Sequence, residues 1–171
     1  MTMARPRDKF YLQINEQPIF LMEQAEADRL VCSLQCSSEG GAVRVIRGWK
    51  CSHYEALHNE VGAALQFPDY YGENWDAMDE CITDLAWVPA DWYLIYLPKV
   101  EQVLPNDEKG FEIFLSVLSD AAKAWANPKM RGLASTEEPI KKPFNVIISG
   151  TEEGLLRAKK VLGHAIENEL K

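Results

Sequence analysis

The chain has 171 residues, 47% of them apolar, and a formal net charge of −8, enough for one globular domain with extensions and a sizeable core. No run of about 18 apolar residues occurs, which argues against a membrane-spanning helix. The start "MTMARPRDKF" turns polar at once and lacks the apolar stretch and cleavage site of a signal peptide, so a cytoplasmic location is expected.

The N-terminal stretch "KFYLQINEQPIFLM", Lys9 to Met22, reads as two short strands around a polar turn, a β-hairpin at the sheet edge within an N-terminal extension of residues 1–40. Ala42 to Ile46 is a short β-branched run and a predicted strand. Cys32, Cys36, Cys51 and Cys81 form no metal-ligand pattern and read as reduced thiols. Tyr54, Leu57, Val61, Ala64 and Leu65 then recur at helical spacing behind a capping box of Ser52 and Glu55. After an acidic segment comes "WYLIYL", Trp92 to Leu97, a second strand. Phe111, Phe114, Leu115, Leu118, Ala121, Ala122 and Trp125 stripe a long helix. Asn127 to Pro143 reads as a mobile loop of proline, serine and charge, and Phe144 to Ser149 as a third strand. Thr151, Glu152 and Glu153 open a C-terminal helix over residues 151–171, with Leu155, Leu162 and Ile166 as its apolar set. Strands separated by helices predict an α/β fold: a small parallel sheet of about three strands with helices packed on it, spanning residues 41–150.

The charge is not spread evenly. Between Lys50 and Lys99 there is no lysine or arginine, while Glu55, Glu60, Asp69, Glu73, Asp76, Asp79, Glu80, Asp84 and Asp91 make that segment −9 and leave the remainder at +1. Such asymmetry argues against nucleic-acid binding through that surface, since phosphate contacts need lysine and arginine, and it suits a basic partner.

Within the segment, "PDYYGENWDAMDECIT" places a helix after Asn74, a good N-cap, with Gly72 supplying a turn of positive φ. At about 100° per residue, Trp75, Met78, Cys81, Ile82 and Leu85 share one face, and Asp76, Asp79, Glu80 and Thr83 the other. Spacing alone leaves two readings of the acidic face. Solvated helix faces are commonly charged, and acids in the first turn suit the helix dipole. Against this, Asp76 and Glu80 set like charges at i and i+4, a mildly destabilising choice that a self-supporting helix avoids.

The same residues admit a catalytic reading, since Asp76, Glu80 and Asp120 have the chemistry of a hard-cation site or an acid–base pair. No apolar pocket, histidine at matching spacing or glycine-rich phosphate loop accompanies them, and His53, His58 and His164 read as surface or half-buried residues. The chain is therefore expected to be no enzyme and to carry neither cofactor nor metal.

The stretch "FPDYYGENWDAMDECITDL", Phe67 to Leu85, resembles the signature of barstar and its relatives, intracellular inhibitors of secreted bacterial ribonucleases: a tyrosine pair, Gly72, Glu73, Asn74, an apolar residue, Asp76, Ala77, an apolar residue, an acid at 80 and Cys81. The resemblance runs more weakly from Ala42 to Gly150. It implies an inhibitor or immunity protein for a basic ribonuclease or related nuclease toxin, with Tyr70, Asn74, Asp76, Glu80 and Thr83 in the inhibitory loop and helix and Asp120 as a further acidic contact. Carboxylates would stand where substrate phosphates sit, Glu80 entering the active site and Tyr70 forming an aromatic rim. Two positions depart from the family pattern: Asp79 replaces an aromatic residue on the binding helix, and Glu80 the central aspartate. The alternative is an acidic interaction module for another basic protein.

Overall fold

The computed structural model describes residues 11–37, 39–127 and 140–169, without the side chains of residues 37 and 164–169. Four strands, β1 (Ile19–Glu23), β2 (Gly41–Val45), β3 (Trp92–Leu97) and β4 (Phe144–Gly150), form one sheet in the order β1-β4-β3-β2. Every neighbouring pair is parallel. Among the described residues five α-helices complete the α/β fold: α1 (Gln24–Ser37), α2 (Tyr54–Ala64), α3 (Trp75–Asp84), α4 (Glu108–Ala126) and α5 (Glu152–Glu169). None of the described helices is long and apolar enough to cross a membrane.

Parallel strands need crossovers that cover both faces of a sheet, which is why β3 reads as an unbroken apolar run and is buried at all its positions. Tyr93, Ile95 and Leu97 join Phe144, Val146 and Ile148 in the larger core beneath α2, α3 and α4. Trp92, Leu94 and Tyr96 face the other way, with Ile147, onto Ala27, Val31 and Leu34 of α1.

The N-terminal hairpin does not form among the described residues. Its second apolar run is β1, a strand at the sheet edge as the sequence reading has it, but paired in parallel with β4, from Ile19 opposite Val146 to Glu23 opposite Gly150. A parallel neighbour needs no hairpin turn. The buried amide of Asn145 donates to the carbonyls of Tyr11 and Gln13, both at 2.8 Å, and accepts from the Asn15 side chain of the polar turn at 3.2 Å, which fastens this segment to the sheet. Helix α1 was also missed, although Ala27, Leu30, Val31 and Leu34 carry the i, i+3, i+4, i+7 spacing of an amphipathic helix. The Ser52–Glu55 capping box is not made. His53 is the N-cap of α2, and the Ser52 hydroxyl bonds its ring at 3.0 Å. The loop expected over Asn127 to Pro143 lies largely outside the described residues.

At the C-terminal end of the sheet, backbone meets backbone where glycine permits it. A Cβ on Gly48 would lie 2.3 Å from the Pro98 carbonyl oxygen and 2.6 Å from that of Lys99, whereas one on Gly163 in α5 meets nothing within 4 Å. Gly48→Ala is therefore expected to destabilise the protein by about 2 kcal/mol or more, and Gly163→Ala to stabilise it by about 0.5–1 kcal/mol. Urea unfolding of the two variants checks both signs.

Candidate functional site

Helix α3 is positioned by what it buries. Met78, Cys81 and Ile82, with Leu85 just beyond the helix, are at most 5% exposed, and the Trp125 indole of α4 donates to the Ile82 carbonyl at 3.0 Å. Burying four such side chains is worth on the order of 1.5–3 kcal/mol each, against about 0.2–0.5 kcal/mol for each like-charge pair on the opposite face. Packing therefore wins, and the helix tolerates its one-sided charge. The Asn74 side chain caps it by accepting from the Ala77 amide at 2.9 Å.

The loop leading into α3 differs from expectation in one respect. The residue with positive φ is Glu73, at 48°, and not Gly72. Gly72 is used for close approach: a Cβ there would lie 3.1 Å from Nδ2 of Asn74, an amide that also donates to the Gly72 carbonyl at 3.2 Å.

The predicted residues gather around α3 on two flanks. Asp76 and the half-buried Asp79 line a groove of about 410 Å³ between α3 and α4, together with Asp120, Glu112 and Trp75. Glu80 lies on the other flank, where a hollow of about 140 Å³ is shared with Tyr70, Tyr71, Asp84 and Trp87. Tyr70 is 74% exposed at the rim. The Thr83 hydroxyl donates to its own helix, at 2.8 Å to the Asp79 carbonyl and 3.1 Å to that of Glu80. Asn74 faces solvent but spends its side chain on the cap. Sequence reasoning missed Glu112 and Asp84, whose helical spacing to Asp120 and Glu80 was the available signal.

Among the described residues no ion pair reaches Asp76, Asp79, Glu80, Asp84 or Asp120. Arg47 pairs with Glu60 at 2.7 Å and Arg157 with Glu108 at 3.0 Å, while Lys109, which lines the groove itself, pairs with Glu112 at 3.6 Å. Burial, and then the charges of Asp120, Glu80 and Asp76, push the Asp79 carboxyl above its ordinary pKa. The three candidate cation ligands do not converge, since Asp76 and Asp120 share the groove and Glu80 lies on the far flank. No group of three or more His, Cys, Asp or Glu among the described residues is arranged to hold a metal.

Behind this surface stands a half-buried aromatic cluster around His58 that the sequence reading did not anticipate. His58 is fully buried, contrary to expectation, with Nδ1 hydrogen-bonded to the Tyr71 hydroxyl and its ring against Tyr54 and Trp75. Tyr54 and His58 stand at i and i+4 on α2, where one helical turn brings both rings to the loop.

Comparison with known proteins bears on this arrangement. The sequence model of the family described as Barstar (barnase inhibitor) matches residues 41–147. A protein of Bacillus subtilis (strain 168), named "Putative ribonuclease inhibitor YrdF", is 29% identical over 104 residues, which span 61% of this chain and 94% of that protein.

The placement of Asp79 makes a pH-dependent prediction. Its carboxylate is disfavoured in the folded protein, so it costs stability at neutral pH, and the cost falls as the pH drops below its raised folded pKa, vanishing below the ordinary aspartate value where folded and unfolded chains are both protonated. Asp79→Asn is expected to raise Tm at pH 7, with the advantage over the unaltered chain shrinking to nothing in the acidic range where Asp79 is itself protonated. Thermal melts of the two proteins across that range check it.

Proposed function

The chain belongs to the barstar family, whose members are inhibitors and not enzymes, and on that premise we propose that it blocks the active site of a basic ribonuclease or related nuclease toxin with the loop and helix from Tyr70 to Thr83. One observation carries this reading: the exposed face of α3 presents Asp76, Asp79 and Glu80 without a cationic partner among the described residues, although Lys109 and other cations lie within the same domain. Such a face gains its countercharges on binding. A ribonuclease must hold a polyanion, so its cleft supplies arginine, lysine and histidine where these carboxylates arrive, and electrostatic complementarity then speeds encounter and fixes orientation.

In this reading Glu80 and Tyr70 act together, a carboxylate beside a rigid aromatic rim. Asp76, Asp79 and Asp120 form a second acidic contact along the α3–α4 groove, and Asn74 and Thr83 keep the helix in shape. No cofactor or metal takes part. The site of action is the cytoplasm of the producing cell, as an immunity protein, and four free thiols at Cys32, Cys36, Cys51 and Cys81 suit a reducing compartment.

Asp79 argues for a retargeted interface. A carboxylate where an aromatic anchor stands in the family pattern removes apolar contact, and is favourable only if the partner provides an added arginine or lysine, because a desolvated charge without a partner is costly. The unaltered chain is thus expected to inhibit a barnase-type ribonuclease weakly, and Asp79→Trp to strengthen inhibition by at least about tenfold, or 1.4 kcal/mol. Titration of ribonuclease activity measures it. Strong inhibition by the unaltered chain, with no gain from tryptophan, would show the position to be neutral.

The double variant Asp76→Asn, Glu80→Gln tests the acidic face directly. Both residues are exposed, so unfolding free energy should stay within about 1 kcal/mol, while inhibition by the Asp79→Trp chain carrying the two changes should collapse. Retained inhibition would refute the assignment.

A further inference from the structure

Helix α2 presents none of the proposed partner-facing residues, yet it holds the loop that does. The Tyr54 hydroxyl donates to the Glu73 carbonyl at 3.0 Å, and His58, one turn later, bonds the Tyr71 hydroxyl. Among the described residues these are the side-chain hydrogen bonds that reach residues 70–74 from another element. The same two rings also form the seat of Trp75, the first residue of α3, at centroid distances of 5.4 Å from Tyr54 and 4.9 Å from His58. What they hold is not a relaxed conformation. Glu73 has φ 48° without being glycine, a backbone state that costs about 1 kcal/mol and persists where the surroundings determine it.

We propose that Tyr54 and His58 are positioning residues for the inhibitory loop, and that the loop keeps its partner-facing geometry only while the His58 ring is neutral. The importance of that geometry for binding rests on the function proposed above. In the fully buried ring, Nε2 has no hydrogen-bond partner among the described residues. A neutral imidazole tolerates this arrangement, since one bond through Nδ1 serves the ring and the Tyr71 hydroxyl. A protonated imidazole needs acceptors at both nitrogens, and the second N–H would be buried with its charge and nothing to receive it.

The groups around the ring offer no compensation. From α2 it meets Tyr54, from the loop Tyr71, and from α3 Trp75. Cys81 and Glu73 influence the Tyr71 phenol, but the Glu73 carboxylate lies in solvent, and among the described residues no carboxylate is hydrogen-bonded to the ring. Burial accordingly pushes the His58 pKa below its ordinary value. Above the ordinary histidine pKa, about 6.5, the ring is neutral whether the site is closed or open. As the pH falls below that value, the released ring takes up a proton first, and the closed arrangement loses stability until the pH reaches the lowered pKa of the closed state. Relief comes by letting Tyr71 and the adjoining loop move away and admit water to Nε2.

The test is a pH titration of the full, unliganded chain by heteronuclear NMR, following the His58 Cε1 proton with the backbone amides of Gly72, Glu73 and Asn74. Those amides are expected to shift with the midpoint of the His58 ring, below the ordinary histidine value. In His58→Gln, neutral at every pH, this inflection should vanish. Tyr71→Phe, which removes the connecting hydroxyl and keeps the ring, should leave His58 titrating while the amides no longer follow it, and decides the matter if the glutamine variant does not fold. Loop amides that stay still while His58 titrates, an inflection that survives in His58→Gln, or a ring neutral down to acid unfolding would each overturn the proposal. The measurement needs no ribonuclease, so its failure leaves the acidic-face reading untouched, just as retained inhibition by the Asp76, Glu80 double variant would leave this result standing.

Discussion

The burial of one face of α3 is the interaction on which the rest of the site depends. A ten-residue helix with acids at 76, 79, 80 and 84 repels itself along its outer face, and a helix this short is marginal in isolation even with a favourable sequence. Met78, Cys81, Ile82 and Leu85 make it a fixed element by packing into the core, and the Trp125 indole ties its last turn to α4. The charge is concentrated because the core absorbs its cost.

The sheet bears on the candidate site through this same dependency. Strands β3 and β4 carry apolar residues on both faces, and α4 lies on the larger core, so that its exposed edge runs beside α3 and brings Asp120 and Glu112 to Asp76 and Asp79. The N-terminal segment and α5 serve the sheet from outside this region. Strand β1 extends the sheet past β4, and Arg157 of α5 stacks 3.6 Å over Phe111 while donating to the carbonyls of Val103 and Leu104. These contacts brace the start of α4, and through it one wall of the groove.

Local pattern made much of this legible. The apolar stripe of α3 and its Asn74 cap are statements about neighbours three and four residues apart, and so are the stripes of α2 and α4. Strands β2, β3 and β4 were marked by β-branched and aromatic runs between turn residues. Strand β1 was harder to place, because a short apolar run beside a polar turn fits a hairpin or a parallel edge equally, and its partner β4 lies more than a hundred residues away. The capping box failed for a comparable reason: the Ser52 hydroxyl had a competing partner in the next residue, His53.

By itself the amino-acid sequence determined the sign of the candidate surface, the helix that carries it and the apolar face that anchors it, since charge and helical period are properties of contiguous residues. Tertiary structure alone decided how the acids divide, Asp76 and Asp79 going to the α4 groove with Asp120 while Glu80 joins Tyr70 on the opposite flank. It also decided that His58 is a buried ring beneath the loop and that Glu73, not Gly72, takes the left-handed backbone. Each of these depends on which elements meet in space, and helix crossing, burial and loop closure are set by contacts between residues far apart in the chain.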